Sequence, residues 1–479
     1  MAEETFINQI DDREFIFKAG FKTKGEDGGD VVYPITKSAF KYLEIEDNVF
    51  SPFAKGTAII ENVHGVFDAF VHFRGDFNDL LVINIEPVLN PDRPNNEAEK
   101  EDFGLNYIFS VYRVDDQSKD SYPYMNKVIH FRETKQQVMI EKRSLFNSID
   151  AIELEPDTNV SALSNSERAG KTGLMIKEML KKDIDESDAS FEDDFDEGAD
   201  TSLLFHTSTV KDTVHANLQK FMRYHISQDD SEDTCFLDYD RYTKKYSLRS
   251  LKKIFELQET EGDKYVLESI IVGGEGPNSS GKDFARTLYL GDLSNVENIS
   301  VSNNYNDDLF RQFVSTIPLP ANGAQKHVNM LTEIHNIEKL FEEFEEFYVK
   351  PFSHVAVDGV AIPPIAINDL KRKMNSLQFI TTDMPPNMAR SIARNKVLTA
   401  MMFLGPVLTA RLRGSTHRRT GRFFDVHREG DYEIGNFERK VSGRWFMTSC
   451  KHVFTNDRYT TNIEGARTYY SGLDVSIEE

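Results

Sequence analysis

Apolar side chains recur at every second position near both ends of this chain, and that period confines those stretches to strands with two unlike faces. In the run from Phe67 to Arg74, Phe67, Ala69, Val71 and Phe73 alternate with Asp68, Phe70, His72 and Arg74. Leu81, Ile83 and Ile85 share a face in the next run, Leu80 to Glu86. The intervening Gly75-Asp-Phe-Asn-Asp79 has turn chemistry, so a hairpin is expected there. Near the other end, Val407 to Leu412, Arg422 to Val426, Arg444 to Phe454 and Tyr459 to Ile463 read as strands. Phe446, Cys450 and Phe454 are expected on one face of the third, and Tyr459, Thr461 and Ile463 on one face of the fourth.

The middle is mixed. Tyr107 to Val114 and Asn126 to Arg132 are strand-like, as are Cys235 to Asp240, Lys245 to Leu248 and Tyr265 to Val272. Gly173 to Lys182 and Thr213 to His225 read as helices, the second with Val214, Leu218, Phe221 and Met222 on one stripe. Met330 to Tyr348 carries the clearest helical period, through Ile337, Leu340, Phe341, Phe344 and Phe347, and Pro351 ends it. Strands, a mixed region, strands, a helix and strands again give an α+β fold with two separated antiparallel β domains.

Composition excludes several functions. The net charge of −23 opposes a nucleic-acid coat, because phosphate binding needs cationic surface. No secretory signal is expected, since the first residues are neither basic nor apolar. The most apolar run, Val397 to Ala410, contains Gly405 and Pro406 and is shorter than the roughly twenty residues a membrane span needs. The two cysteines, Cys235 and Cys450, exclude a disulfide framework and a cysteine-based zinc site. A soluble, acidic, multi-domain chain made in a reducing compartment is the expectation.

Most short motifs fail on chemistry. Gly276-Pro-Asn-Ser-Ser-Gly-Lys-Asp283 has phosphate-loop spacing, but a carboxylate stands where a hydroxyl must hold magnesium, and a strand-like run follows instead of a helix. Gly170-Lys-Thr172 has the hydroxyl but Asn165 in place of the first glycine. Ten of the eighteen residues from Asp183 to Asp200 are acidic, which reads as a solvated loop. As a calcium loop that block would need Gly and Glu where Asp188 and Asp194 stand, which leaves a weak, nonspecific cation site as the alternative to a solvated loop. His64, His72, His130 and His206 are scattered, and Arg74-Gly-Asp76 sits at the hairpin. No metal, cofactor or catalytic residue is expected. With 79 acidic residues, a pair could always be proposed for a carboxylate-dependent cell-wall hydrolase or other enzyme, so that alternative has little specificity.

The segment Arg411-Leu-Arg-Gly-Ser-Thr-His-Arg-Arg-Thr-Gly-Arg422 stands apart, with five arginines and no acid. It reads as a solvated turn, as a contact surface for an acidic partner such as a second copy of this chain, or, against the hostile surrounding charge, as a nucleic-acid contact. Val71-His-Phe-Arg-Gly-Asp76 and Ala410-Arg-Leu-Arg-Gly-Ser415 form a faint internal echo.

Ser442, Gly443, Trp445, His452 and Phe454, followed by Tyr459, Thr461 and Ile463, complete a pattern that resembles the last barrel of the central baseplate hub proteins of contractile-tailed bacteriophages. That family is related to the base of type VI secretion spikes. The resemblance implies two similar antiparallel β-barrels separated by α/β and helical insertions. Residues 1–112 would be the N-terminal barrel and 113–228 an α/β domain with the acidic loop 183–200. Residues 229–300 and 396–470 would form the two parts of the second barrel, around a helical insertion 301–395, with a tail from 471 to 479. It also implies a homotrimeric ring with pseudo-six-fold symmetry, joining a hexameric tail tube to a trimeric spike around a channel for DNA ejection. Expected partners are further copies of the chain, the spike, tube and tape-measure proteins and the surrounding baseplate wedges, within the virion tail. No specific nucleic-acid or membrane binding is expected. The candidate interface residues are Arg411, Arg413, Arg418, Arg419, Arg422, Trp445 and His452.

Overall fold

In a computed structural model of the chain, the residues described are 4–7, 14–24, 30–36, 39–62, 80–87, 104–118, 125–143, 171–184, 189–199, 212–228, 235–260, 266–271, 296–303, 326–329, 379–382, 406–427, 443–455 and 458–466. The strand expected from Phe67 to Arg74, the glycine-rich run at Gly276 and the helix expected from Met330 to Tyr348 lie outside them.

The first block holds β1 (Glu4–Ile7), β2 (Glu14–Lys24), β3 (Asp30–Ile35), β4 (Phe40–Asn48), β5 (Ser51–Glu61), β6 (Leu80–Pro87), β7 (Leu105–Ser118) and β8 (Met125–Glu133). The middle follows with α1 (Thr134–Glu141), α2 (Thr172–Asp183), β9 (Ser190–Phe191), α3 (Val214–Tyr224), β10 (Cys235–Asp240), β11 (Lys245–Ser250) and α4 (Leu251–Thr260). Then come β12 (Val266–Ile271), β13 (Val296–Asn303), β14 (Lys326–Asn329), β15 (Phe379–Thr382), β16 (Pro406–Arg413), β17 (Phe423–His427), β18 (Gly443–Thr455) and β19 (Arg458–Ala466). The fold is mostly antiparallel sheet with few helices. Among the described residues no helix is long and apolar enough to cross a membrane.

Alternation does what it promises in the first block. Leu81, Ile83 and Ile85 are all fully buried, and so are Leu43 and Ile45 on β4. They share a core with Phe17, Phe109, Ile129 and Phe131. In the middle, Thr213 caps α3 by accepting a hydrogen bond from the Ala216 amide at 3.2 Å. Val214, Leu218 and Phe221 of that helix pack with Met175, Ile176 and Met179 of α2 against Tyr246 and Leu248 of β11.

One strand joins the two β blocks. The first part of β18 pairs with β17, through Phe446 opposite Phe423 and Trp445 opposite Phe424. Its second part pairs with β4, from Ser449 opposite Asn48 to Thr455 opposite Tyr42. A bulge at Thr448 marks the exchange of partners, and the Thr448 carbonyl accepts the Val49 amide at 2.9 Å. Strands from both ends of the chain therefore lie in one sheet of fourteen described strands.

The bulge corrects one expectation. An extra residue reverses the alternation, so Trp445 and Met447, rather than Phe446, share a core with Cys450 and Ile463. Phe446 packs against Phe423 and Phe236, with ring centroids 5.4 and 6.0 Å away. Four residues after Cys450, Phe454 already belongs to the core of the first block.

The acidic block is also a correction. Residues 189–199 are packed, because they carry two phenylalanines among their acids. Phe195 is buried, and Phe191 lies 5.7 Å from the Tyr246 ring. Asp194 forms two hydrogen bonds with the Arg249 guanidinium, at 2.7 and 2.8 Å, and Asp196 is buried.

Candidate functional site: a buried charge junction behind the arginine loop

The hairpin of β10 and β11 turns over Arg241 to Lys244, and Lys244 takes a positive φ of 58°. Asp240 organises the turn: its Oδ1 accepts the amides of Tyr242 at 2.8 Å and Thr243 at 3.3 Å. That holds Arg241 at the tip, pointing into the seam between the two β blocks. Its Nη2 lies 2.9 Å from both Asp47 of β4 and Glu133 of β8. The guanidinium also sits over the Tyr107 ring, 5.3 Å from its centroid. Glu133 accepts the Ala54 amide as well, at 2.6 Å.

One guanidinium thus faces two buried carboxylates. Burial pushes Asp47 up to about 6, against the opposing pull of Arg241 and with added repulsion from Glu133, Asp238 and Glu46. The same neighbours hold the Arg241 guanidinium firmly charged despite its burial.

The arginine loop closes the other side. Arg419 reaches Asp240 Oδ2 at 2.8 Å and stacks over the Tyr242 ring, 4.9 Å from its centroid. Arg422 stands 3.9 Å from the same oxygen. Burial opposes ionisation of Asp240, but Arg419 and Arg422 hold its carboxyl below the usual range. The Tyr242 hydroxyl donates to the Thr416 carbonyl at 2.5 Å. Gly414 lets the loop leave β16: its amide donates to the Tyr459 carbonyl at 3.0 Å, and a Cβ there would sit 2.1 Å from the Tyr459 ring.

His452 is fully buried behind the loop. Its Nδ1 lies 2.8 Å from the Tyr459 hydroxyl, and its Nε2 lies 3.8 Å from Cys450 Sγ. Burial, with Arg418 and Arg241 nearby, lowers its pKa to about 3, so the imidazole is neutral. The space left at this junction is about 20 Å³, lined by Asp47, Tyr107, Arg241, Tyr242, Arg418 and His452 among others. That is room for about one water, far below the roughly 300 Å³ of a small-molecule pocket.

The candidate interface residues divide sharply. Arg418, Arg422, Trp445 and His452 are buried within a single subunit, at 2, 7, 0 and 0% exposure, and Arg419 is half-buried against Asp240. A solvated turn does not describe them: Arg419 and Arg422 face Asp240, and His452 meets the Tyr459 hydroxyl. Arg413 ends β16 opposite Thr460. Arg411 is exposed, in an open groove of about 390 Å³ with Thr409, Ser449, Lys451, Asn462 and Glu464. Of the two stretches in the internal echo, only Ala410 to Ser415 lies among the described residues.

Asp47, Glu133, Asp240 and Arg241 went unnoticed in the sequence. One signal was present. Asp47 continues the inward register of Leu43 and Ile45, and a carboxylate on a buried face demands a cation. Nothing local shows that the cation stands at position 241. Away from the junction, ligating atoms of Asp196, His225 and Cys235 lie within 4.8 Å of one another.

No known family matches the sequence, and no curated protein does. Similar solved structures include tail proteins and VgrG complexes. A tail protein from Neisseria meningitidis MC58 has a TM-score of 0.42 at 6% identity, over 95% of this chain and 99% of that one. The 43 kDa tail protein of prophage MuSo2 from Shewanella oneidensis has a TM-score of 0.43 at 9% identity, over 94% and 98%. The half-lidded PdpA–VgrG complex of Francisella has a TM-score of 0.44 at 10% identity, over 96% of this chain and 59% of that one.

Proposed function

We propose that this chain is a structural hub of a phage-like contractile tail. Three copies would form a ring of six β-barrels that joins the hexameric tail tube to the trimeric central spike. The observation that carries this reading is β18, whose two parts pair with β17 and with β4, so that each subunit offers two β modules side by side. A rotation about a three-fold axis repeats that pair, and six edges then face a six-fold partner. Apart from Ser442, which lies outside the described residues, the hub pattern from Ser442 to Ile463 falls on β18 and β19, the strands that make the seam.

The work of such a subunit is geometric, not catalytic. Its junction is filled by its own side chains and leaves space for about one water. Arg411 and the groove beside it are the proposed contact with a neighbouring copy or baseplate component, and part of the −23 charge would face the channel. Like charge within about 8–10 Å of the bore keeps phosphates from lingering as DNA passes.

Light scattering of the purified chain tests the ring. The expected mass is about 165 kDa, three times 54.9 kDa, with a pseudo-six-fold annulus in negative stain. A monomer at micromolar concentration, or a bore lined by Lys and Arg, contradicts the proposal.

A further inference from the structure

Three segments of the middle module meet at a point the hub reading does not use. Asp196 follows β9, His225 caps the C-terminal end of α3, and Cys235 opens β10. His225 is buried, and its Nε2 makes no hydrogen bond. That nitrogen is aimed at Asp196 Oδ1, 3.8 Å away, while Cys235 Sγ lies 3.9 Å from Asp196 Oδ2. A carboxylate, an imidazole and a thiol around one point are the donor set of a borderline-soft divalent cation. A mixed set of this kind needs one cysteine, which the count of two that excluded a cysteine-based zinc site does not rule out.

We propose that Asp196, His225 and Cys235 form a Zn²⁺ site, with the fourth position filled by water from the exposed side of Cys235. A tetrahedral zinc ion with ordinary bond lengths places N and O ligands about 3.4 Å apart and O and S ligands about 3.6 Å apart. The two separations to the carboxylate, taken at its two oxygens, need to shrink by about 0.3–0.4 Å, and the three ligand atoms, which lie within 4.8 Å of one another, must draw together by up to about 1.2 Å at the widest pair. The outer contacts suit the role. His225 Nδ1 lies 3.0 Å from Thr172 Oγ1, which orients the ring and leaves Nε2 for the metal. Asp196 is held by the amides of Gly198 at 2.8 Å and Gln228 at 3.0 Å and by the Ser227 hydroxyl at 2.5 Å. The ion would clip the end of α3 to the start of β10, on either side of residues 229–234.

The full-length chain, stripped with a chelator, is titrated with Co²⁺ and then challenged with Zn²⁺. One Co²⁺ per chain is expected, with a thiolate-to-cobalt charge-transfer band that Zn²⁺ abolishes. Cys235→Ser should lose the band and Cys450→Ser should keep it. Thr172→Ala should weaken binding roughly ten- to a hundred-fold. The unaltered protein supplies an independent reading: Zn²⁺ should slow alkylation of Cys235, located by peptide mapping. Absence of the charge-transfer band, or alkylation of Cys235 at the same rate with and without Zn²⁺, overturns the site and leaves a hydrogen-bonded knot. The trimer mass is unaffected by either result, so this test and that of the hub reading fail separately.

Discussion

Arg241 is the side chain on which the junction depends. Removing it leaves Asp47 and Glu133 buried without their cation, and breaking a buried pair in this way costs about 3–5 kcal/mol. Arg241→Met should lower stability by that amount in urea unfolding. Adding Asp47→Asn should recover part of the loss, since one of the two uncompensated charges goes with it. His452 makes a second prediction, with the opposite dependence on its partners. Its folded pKa of about 3 lies below the value of 6.5 for a free imidazole. The unfolded chain therefore binds a proton that the folded chain refuses, and the stability from this group is present above about pH 6.5. As pH falls from 6.5 towards 3 it is lost, by at most about 1.4 kcal/mol per pH unit. Unfolding measured across that window should fall less steeply for His452→Gln than for the parent. Parallel slopes would show that His452 accepts a proton in place.

Among the elements, β18 and the loop before β17 depend on two small features. Gly414 lies against the Tyr459 ring, which is stacked on Phe454 at 4.3 Å between centroids. The hydrogen bond from the Gly414 amide to Tyr459 prevents the two strands from easing apart. Gly414→Ala should therefore destabilise by about 1–3 kcal/mol, the usual range for overpacking, and an unchanged denaturation midpoint would contradict the contact. Among the described residues, unbroken alternation made strands legible, as in Leu81, Ile83 and Ile85. The face of Phe446 was not, because no Gly or Pro marks the bulge at Thr448. Residues 189–199 misled for a different reason: charge counting ignores Phe191 and Phe195, whose burial carries the acids into contact with Arg249 and His225. The arginine loop was legible as unusual. Its destination was not, since Asp240 is nearly 180 residues away in the chain.

For the molecule as a whole, the shared strand predicts joint unfolding. Trp445 is the only tryptophan, and it is fully buried in the core of the last block. Its fluorescence therefore reports that core alone. Ile45→Ala on β4, in the other core, should cost about 2–5 kcal/mol and move the Trp445 transition together with far-UV circular dichroism. A tryptophan transition that stays in place would show the two blocks to be independent. The middle module should follow, because Arg241 and Arg419 tie its hairpin to both.

The partnership of β4 with β18 also imposes a timetable on synthesis. Residues 42–48 wait for residues 449–455, some four hundred positions later. At about 5–20 residues per second, that interval lasts roughly 20–80 s. Throughout it, the early sheet carries a bare edge that invites wrong pairings. A nascent chain cannot close this sheet before translation is nearly over, so a truncated product lacking residues 449–455 keeps the β4 edge unpaired by topology alone.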